Sequence, residues 1–179
     1  MRATAKSSGG VLNPLDKCMI TVGDHTITLR ILPEITDSKS ASYNDEPIIG
    51  RSYPIKTYRY SENRVVSMKL HFVTLEHDDG EKNLKDLRAL QSAVYPIDDD
   101  GDNPYLPPPV CKIQCGFLFT SKNSGSVCAI LKSYSVSFPT DVVWDEDSYL
   151  PFKFDVDLQW EIVFSSTDLP GHNMIIGDV

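Results

Sequence analysis

Residues 152–164, FKFDVDLQWEIVF, alternate almost without fault. Phe152, Phe154, Val156, Leu158, Trp160, Ile162 and Phe164 fall on one face of an extended chain. Lys153, Asp155, Asp157, Gln159 and Glu161 fall on the other. Side chains in a strand alternate with period two, so this segment is predicted to be a β-strand buried on one side only. Its length is well above the usual five or six residues. The charged face must look at bulk water, at a ligand, or into the inside of an assembly.

Other segments share the period. Ile27, Leu29 and Ile31 alternate with Thr26, Thr28 and Arg30, and Gly23-Asp24 before them suits the turn of a first hairpin. Val66, Met68, Leu70 and Phe72 alternate with Ser67, Lys69 and His71; with IKTYRY ahead of them they read as a second strand pair. VCKIQCGFLF and SVCAILKSYSVSF are two further strands, joined by the polar TSKNSG. The period changes once. Leu84, Leu87, Leu90 and Val94 recur at threes and fours, which predicts a short amphipathic helix over about 81–94, stopped by Pro96. Residues 33–54, rich in Pro, Gly, Ser, Asp and Asn, read as a loop of some twenty residues. Such loops are uncommon unless they bind or act. The reading is of a mainly β chain, an antiparallel sandwich or barrel with one flanking helix, rather than a βαβ fold. Residues 1–16 form a flexible arm, 17–165 the β domain, and 166–179 a tail.

Composition excludes several classes. The 179 residues suffice for a core, and a net charge of -8 opposes tight phosphate binding. No run of about 18 apolar residues exists, so no membrane-spanning helix is expected. The first sixteen residues lack the apolar stretch of a signal peptide, which implies folding in the cytoplasm. Asp98, Asp100 and Asp102 have calcium-loop spacing, but Asn103 and Pro109 stand where glycine and glutamate are needed. His25, His71, His77 and His172 show no metal spacing, and no cofactor or metal is expected. No serine elbow is present. Asp155 and Asp157 could pair for glycoside chemistry, but any polar strand face offers that spacing. Cys18, Cys111, Cys115 and Cys128 read as small buried hydrophobes, with an interchain disulfide as the alternative. Met174, Ile175 and Ile176 are an apolar triplet outside any element, either a disordered end or a segment docked on a neighbour.

The order of parts carries a resemblance. SENRVVSMKLHFV is followed by the helix LKDLRALQSAVYP, then by LPPPVCKIQCGFLF, VCAILKSYSVSFPTDV and the closing FKFDVDLQWEIVF. This resembles the tail-tube-like domain of contractile phage tails and injection systems, in particular the baseplate tube-cap and tube-initiator proteins. The likeness covers roughly residues 60–165. PTDVVWDEDSYLP is more acidic than the family's glycine-rich link before the last strand. The resemblance implies a phage tail-tube-like fold and a ring of six copies at the junction of baseplate and tail tube, within a virion assembled in the host cytoplasm. Its partners would be further copies, adjacent tail-tube and baseplate hub proteins, the tape-measure protein, and double-stranded DNA only in transit.

Under that implication Lys153, Asp155, Asp157, Gln159 and Glu161 are candidate lumen-facing residues, three negative charges against one positive per copy. Replacing Asp155 and Asp157 by Lys should then slow DNA passage and leave the fold nearly intact. Candidate contacts between subunits are Tyr43, Ile48, Ile49, Tyr53, Met174, Ile175 and Ile176. No catalytic residue is assigned. Two readings of other classes stay open. One is a monomeric β-sandwich binding sugar or protein through Trp144 and residues 141–150. The other is a hydrolase built on Asp155 and Asp157.

Overall fold

The computed structural model describes residues 18–76, 79–96, 106–116, 118–119, 126–146 and 149–163. The predicted arm 1–16, the acidic turn at Asp98–Asp102 and the triplet Met174–Ile176 lie outside them.

The alternating segments form one antiparallel sheet. Its strands are β1 (Cys18–Val22), β2 (His25–Thr28), β3 (Glu34–Ser38), β6 (Val65–Val73), β7 (Cys111–Cys115), β8 (Val127–Ser137) and β9 (Lys153–Ile162), in the order β2-β1-β7-β8-β9-β6-β3. The long period-two segment forms β9, which lies between β6 and β8. Its apolar residues Phe154, Val156, Leu158, Trp160 and Ile162 are all buried. They join Val66, Met68, Leu70 and Phe72 of β6 in one core, with Phe72 stacked on Phe154 at 4.9 Å between ring centroids. Gly23 takes a positive φ of 56° in the two-residue turn between β1 and β2, a conformation glycine adopts without strain.

Helix α1 (Asp79–Ser92) follows β6 and buries Leu87 and Leu90 in the same core. It also carries a buried polar stripe of Asp79, Asn83 and Asp86, each with a partner. Asp79 takes the guanidinium of Arg30 through two bonds of 2.5 Å. Asn83 donates to the Val73 carbonyl, and Asp86 meets the His25 ring at 2.7 Å. Arg30 and His25 belong to the β2 end of the sheet. A helix is about 10–12 Å across, while β2 and β6 would stand about 24 Å apart in a flat sheet at the usual strand spacing. The sheet therefore curls over α1, and these two ion pairs hold its far edge to the helix. No closed barrel forms among the described residues; β2 and β3 remain edges.

Burial alone would raise the Asp79 pKa. Hydrogen bonds from the Glu76 amide, the Arg30 guanidinium and the Leu75 amide outweigh it and hold the carboxyl below its usual value.

The segment 33–54 is not a loop. It contains β3 and β4 (Ala41–Glu46), and β4 pairs with β5 (Ile55–Ser61). Nor do IKTYRY and the next segment pair with each other: β5 pairs with β4, and β6 pairs with β3 and β9. The ladders nearly run on. Ser38 faces Val65, the Glu62 amide donates to the Ser40 carbonyl, and Ala41 faces Ser61. Strands β3–β4 and β5–β6 thus form one bent ribbon whose inner half belongs to the sheet and whose outer half leaves it.

Candidate assembly surfaces

The outer half of the ribbon, β4–β5, forms a separate two-stranded sheet. Every residue of β5 is exposed. Its partner β4 is exposed at every position but Ser42, and a strand with two wet faces has no apolar period, which explains why the sequence pattern of 33–54 showed a loop. Six residues of β4 carry the arm about 20 Å outward. Arg59 is an extra residue at a bulge: Ser42 faces Tyr60 while Tyr43 faces Tyr58. The bulge puts Tyr58 and Tyr60 on opposite faces, and Tyr58 meets Tyr43 edge-on at 5.7 Å.

Tyr43, Ile48, Ile49 and Tyr53, expected at a subunit contact, all lie on this arm and are exposed; Ile49 is fully so. Ile55, Tyr58 and Tyr60 extend the same surface. Lys56 pairs with Asp45 at 2.7 Å. Arg51 and Arg59 make no ion pair among the described residues, and neither does Glu46, which accepts a hydrogen bond from Thr57, so the arm is left with one net positive charge beside its aromatic rings.

A second apolar surface lies at the other end of the strands. Residues 138–152 connect β8 to β9 at the end where Val73 faces Lys153, whereas the arm leaves where Val65 faces Glu161. Trp144 bridges to Pro151, and the Asp145 amide donates to the Leu150 carbonyl. Tyr149 holds a φ of 55°, uncommon outside glycine. Phe138, Val143, Trp144, Tyr149 and Phe152 are exposed here, with exposed Asp141 and Glu146 among them. Trp144 is half exposed and lies 6.4 Å from the Phe138 ring.

The structure brings Lys153, Asp155, Asp157, Gln159 and Glu161 onto one face, opposite the core. Ser67, Lys69 and His71 of β6 and Ser133, Ser135 and Ser137 of β8 share it. A groove of about 430 Å³ runs over Asp157 and Gln159, between Thr36 of β3 and Ser135 of β8. The face is less negative and less bland than β9 alone suggests. Asp155 accepts a 2.7 Å hydrogen bond from the His71 ring and lies 3.6 Å from the Lys69 ammonium. Burial would raise its pKa, but the His71 hydrogen bond and the charges of His71, Lys153 and Lys69 outweigh it and hold the carboxyl below its usual value. Glu161 is held low by hydrogen bonds from Lys132, at 2.7 Å, and Asn63. Lys132 is the residue added where the β8 register shifts between Leu131 and Ser133.

The expectation that both Asp155 and Asp157 can be replaced at little cost is therefore corrected. Asp157 is exposed, whereas the Asp155 side chain is only 15% exposed and is tied across two strands. Period two places a residue on a face but not its cross-strand partner, and the β6–β9 register supplies His71. His71 itself is 20% exposed and paired. Among the described residues no group of three or more His, Cys, Asp or Glu is placed to hold a metal. No helix among them is long and apolar enough to cross a membrane.

No family model matches the chain, and no curated protein matches it. Among solved structures it is similar to a chain from the tail of an empty gene transfer agent particle, computed with helical refinement and C6 symmetry. The identity is 11% and the TM-score 0.40, over 83% of this chain and 92% of that one. It is also similar to a chain from the virion of a native gene transfer agent particle, at 10% identity and a TM-score of 0.38, over 83% and 97% of the two chains. Both are likenesses of chain trace, and they leave the role of this chain to its own surfaces.

Proposed function

We propose that this chain is a structural subunit of a contractile phage tail or related injection machine, without a catalytic site. Six copies close into a ring at the junction of baseplate and tail tube, and the ring starts or continues the tube around a DNA channel. The observation that carries the reading is the β4–β5 arm. A two-stranded ribbon is marginally stable alone in water. This one leaves its sheet with Tyr43, Ile48, Ile49, Tyr53, Tyr58 and Tyr60 uncovered. Burial against another subunit removes that surface from water. The open edges β2 and β3 are a liability of the same kind, which pairing within a closed ring relieves.

The surface around Phe138, Trp144 and Tyr149 is the proposed receiver for the arm. It stands at the opposite end of the strands, so the contact is heterologous: one patch of a copy meets a different patch of the next. The charges agree, with Arg51 and Arg59 on the arm and Asp141 and Glu146 on the receiver. The polar face of β9 is the proposed channel wall. Its paired charges offer DNA phosphates neither a basic site nor a strongly acidic barrier.

The test replaces residues 43–59 by an Asn-Gly turn, which leaves Ser42 and Tyr60, already facing each other, on either side of it. An unchanged unfolding transition is expected, with loss of rings and tubes. Rings that persist without the arm would overturn the proposal. The exposed Trp144 and Tyr149 also favour a second reading, a sugar- or protein-binding module. A glycan hit abolished by Trp144→Ala in a protein that never self-associates would select it.

A further inference from the structure

Strands β1 and β7 pair with Cys18 directly opposite Cys115. In an antiparallel strand the N–H and C=O of one residue point to the same side. The Cys18 carbonyl accepts from the Leu29 amide at 3.3 Å, so its backbone groups face β2. Cys18 and Cys115 are therefore a non-hydrogen-bonded pair, the kind whose Cα atoms approach to about 4.5 Å. That separation lies within the disulfide range of about 4.4–6.8 Å. The two Sγ atoms are 2.9 Å apart, closer than two sulfurs sit in ordinary contact. Roughly 0.9 Å of further approach brings them to bonding distance, about 2.05 Å. Both side chains are buried. The other two cysteines are placed differently: the Cys111 thiol turns to the Pro109 carbonyl, and Cys128 is exposed.

We propose that Cys18 and Cys115 are a disulfide site, closed when the folded protein meets a peroxide outside the reducing cytoplasm. The reaction balances. A thiolate of the pair attacks the peroxide, breaking its O–O bond, to give a sulfenic acid and hydroxide. The neighbouring thiol then attacks the sulfenic sulfur, and the S–S bond forms as water leaves. A small oxidant suits a buried pair that a bulky disulfide could reach only after local opening. Burial and the adjoining Cys18 thiol push Cys115 up to about 12, so little thiolate exists at neutral pH and closure is slow.

The consequence is mechanical. Cys18 and Cys115 stand 97 positions apart, and the bond would close that whole span. It would pin β1, and with it the β2 end whose His25 and Arg30 clasp the helix, to the middle of the sheet. The thiol form lets the chain fold first, and the disulfide would lock it afterwards.

The experiment treats the full chain with hydrogen peroxide under native conditions, then maps unreduced peptides by mass spectrometry. The expected product is a Cys18–Cys115 cross-linked peptide lacking two hydrogens. Its melting temperature should rise by about 5–15 °C, the range for a disulfide closing a long loop in a chain of this size. Reduction after unfolding should return it to its starting value. Cys128→Ser should leave both results unchanged, and Cys18→Ser should abolish both. Should Cys18→Ser fail to fold, the peptide map of Cys128→Ser decides alone. A Cys111–Cys128 link, or Cys18 and Cys115 converted to higher acids without a link, would overturn the assignment.

Discussion

Asp155 and Asp157 sit two residues apart on the same face of the same strand, yet the structure separates them sharply. Replacing each by Asn removes one negative charge and nearly preserves shape. At Asp157 the side chain is exposed and takes part in no ion pair among the described residues. Surface changes of this kind usually stay within about 0.5 kcal/mol. At Asp155 the carboxylate is 15% exposed, accepts from His71 at 2.7 Å and faces Lys69 at 3.6 Å. A hydrogen bond to a charged group contributes about 1.5–3 kcal/mol, and partial exposure places the loss near the lower end, about 2 kcal/mol. That corresponds to about 4–8 °C in melting temperature for a domain of this size. Urea unfolding of the unassembled chain at neutral pH measures both variants against the parent. The pH dependence adds a second reading. The Asp155 pKa is lowered on folding, so its contribution is fully present above the unfolded carboxylate value, about 3.9, and is lost as pH falls through the lower folded value. The gap between parent and Asp155→Asn should therefore narrow in acid below about pH 4. Equal losses for the two variants, or a loss at Asp155 below about 0.5 kcal/mol, would refute the distinction drawn between them.

Trp160 is fully buried, and its indole nitrogen has no hydrogen-bond partner among the described residues. Trp160→Phe removes an unpaired donor along with some packing, and urea unfolding should show a loss of no more than about 1.5 kcal/mol. A loss above about 3 kcal/mol would mean that the nitrogen is bonded after all. Arg30→Ala should raise the Asp79 pKa toward its ordinary value, read by carbon NMR titration, while the Leu75 and Glu76 amides keep part of the depression. Because a lowered carboxyl pKa contributes stability that acid removes, the variant should also lose less stability on acidification than the parent. Arg51→Glu with Arg59→Glu should shift sedimentation toward monomer at concentrations where the parent assembles. Adding Asp141→Lys and Glu146→Lys should restore assembly, and failure of that rescue would move the receiver away from residues 138–152.

Much of the fold was legible because burial on one face writes a period into the strand. Strands β6, β8 and β9 each carry it, and so do the short β1–β2 hairpin and the helix. The arm was illegible for the opposite reason. Glu34–Ser38 and Ala41–Glu46 are exposed along nearly their whole length, so nothing in them alternates. The aromatic arm residues were named from a presumed loop; the geometry that displays them, a ribbon shared by β3–β6, depends on a register no local pattern encodes. The helix was placed by its leucines, but Asp79, Asn83 and Asp86 were hidden, since a buried polar residue and a wet one look alike until a partner such as Arg30 arrives. The thiol pair was hidden in the same way. Cys111 and Cys115 are neighbours along one strand, whereas the pair that meets, Cys18 and Cys115, is joined only by the β1–β7 ladder.

Ring closure through the arm is the proposal on which the other assembly assignments rest. Negative-stain electron microscopy of the concentrated full-length protein tests it most directly. Six-fold rings with an open centre, or tubes built from them, are expected, and they vanish when residues 43–59 are replaced by a short turn. Separate compact particles at every concentration, indistinguishable with and without the arm, would contradict the proposal.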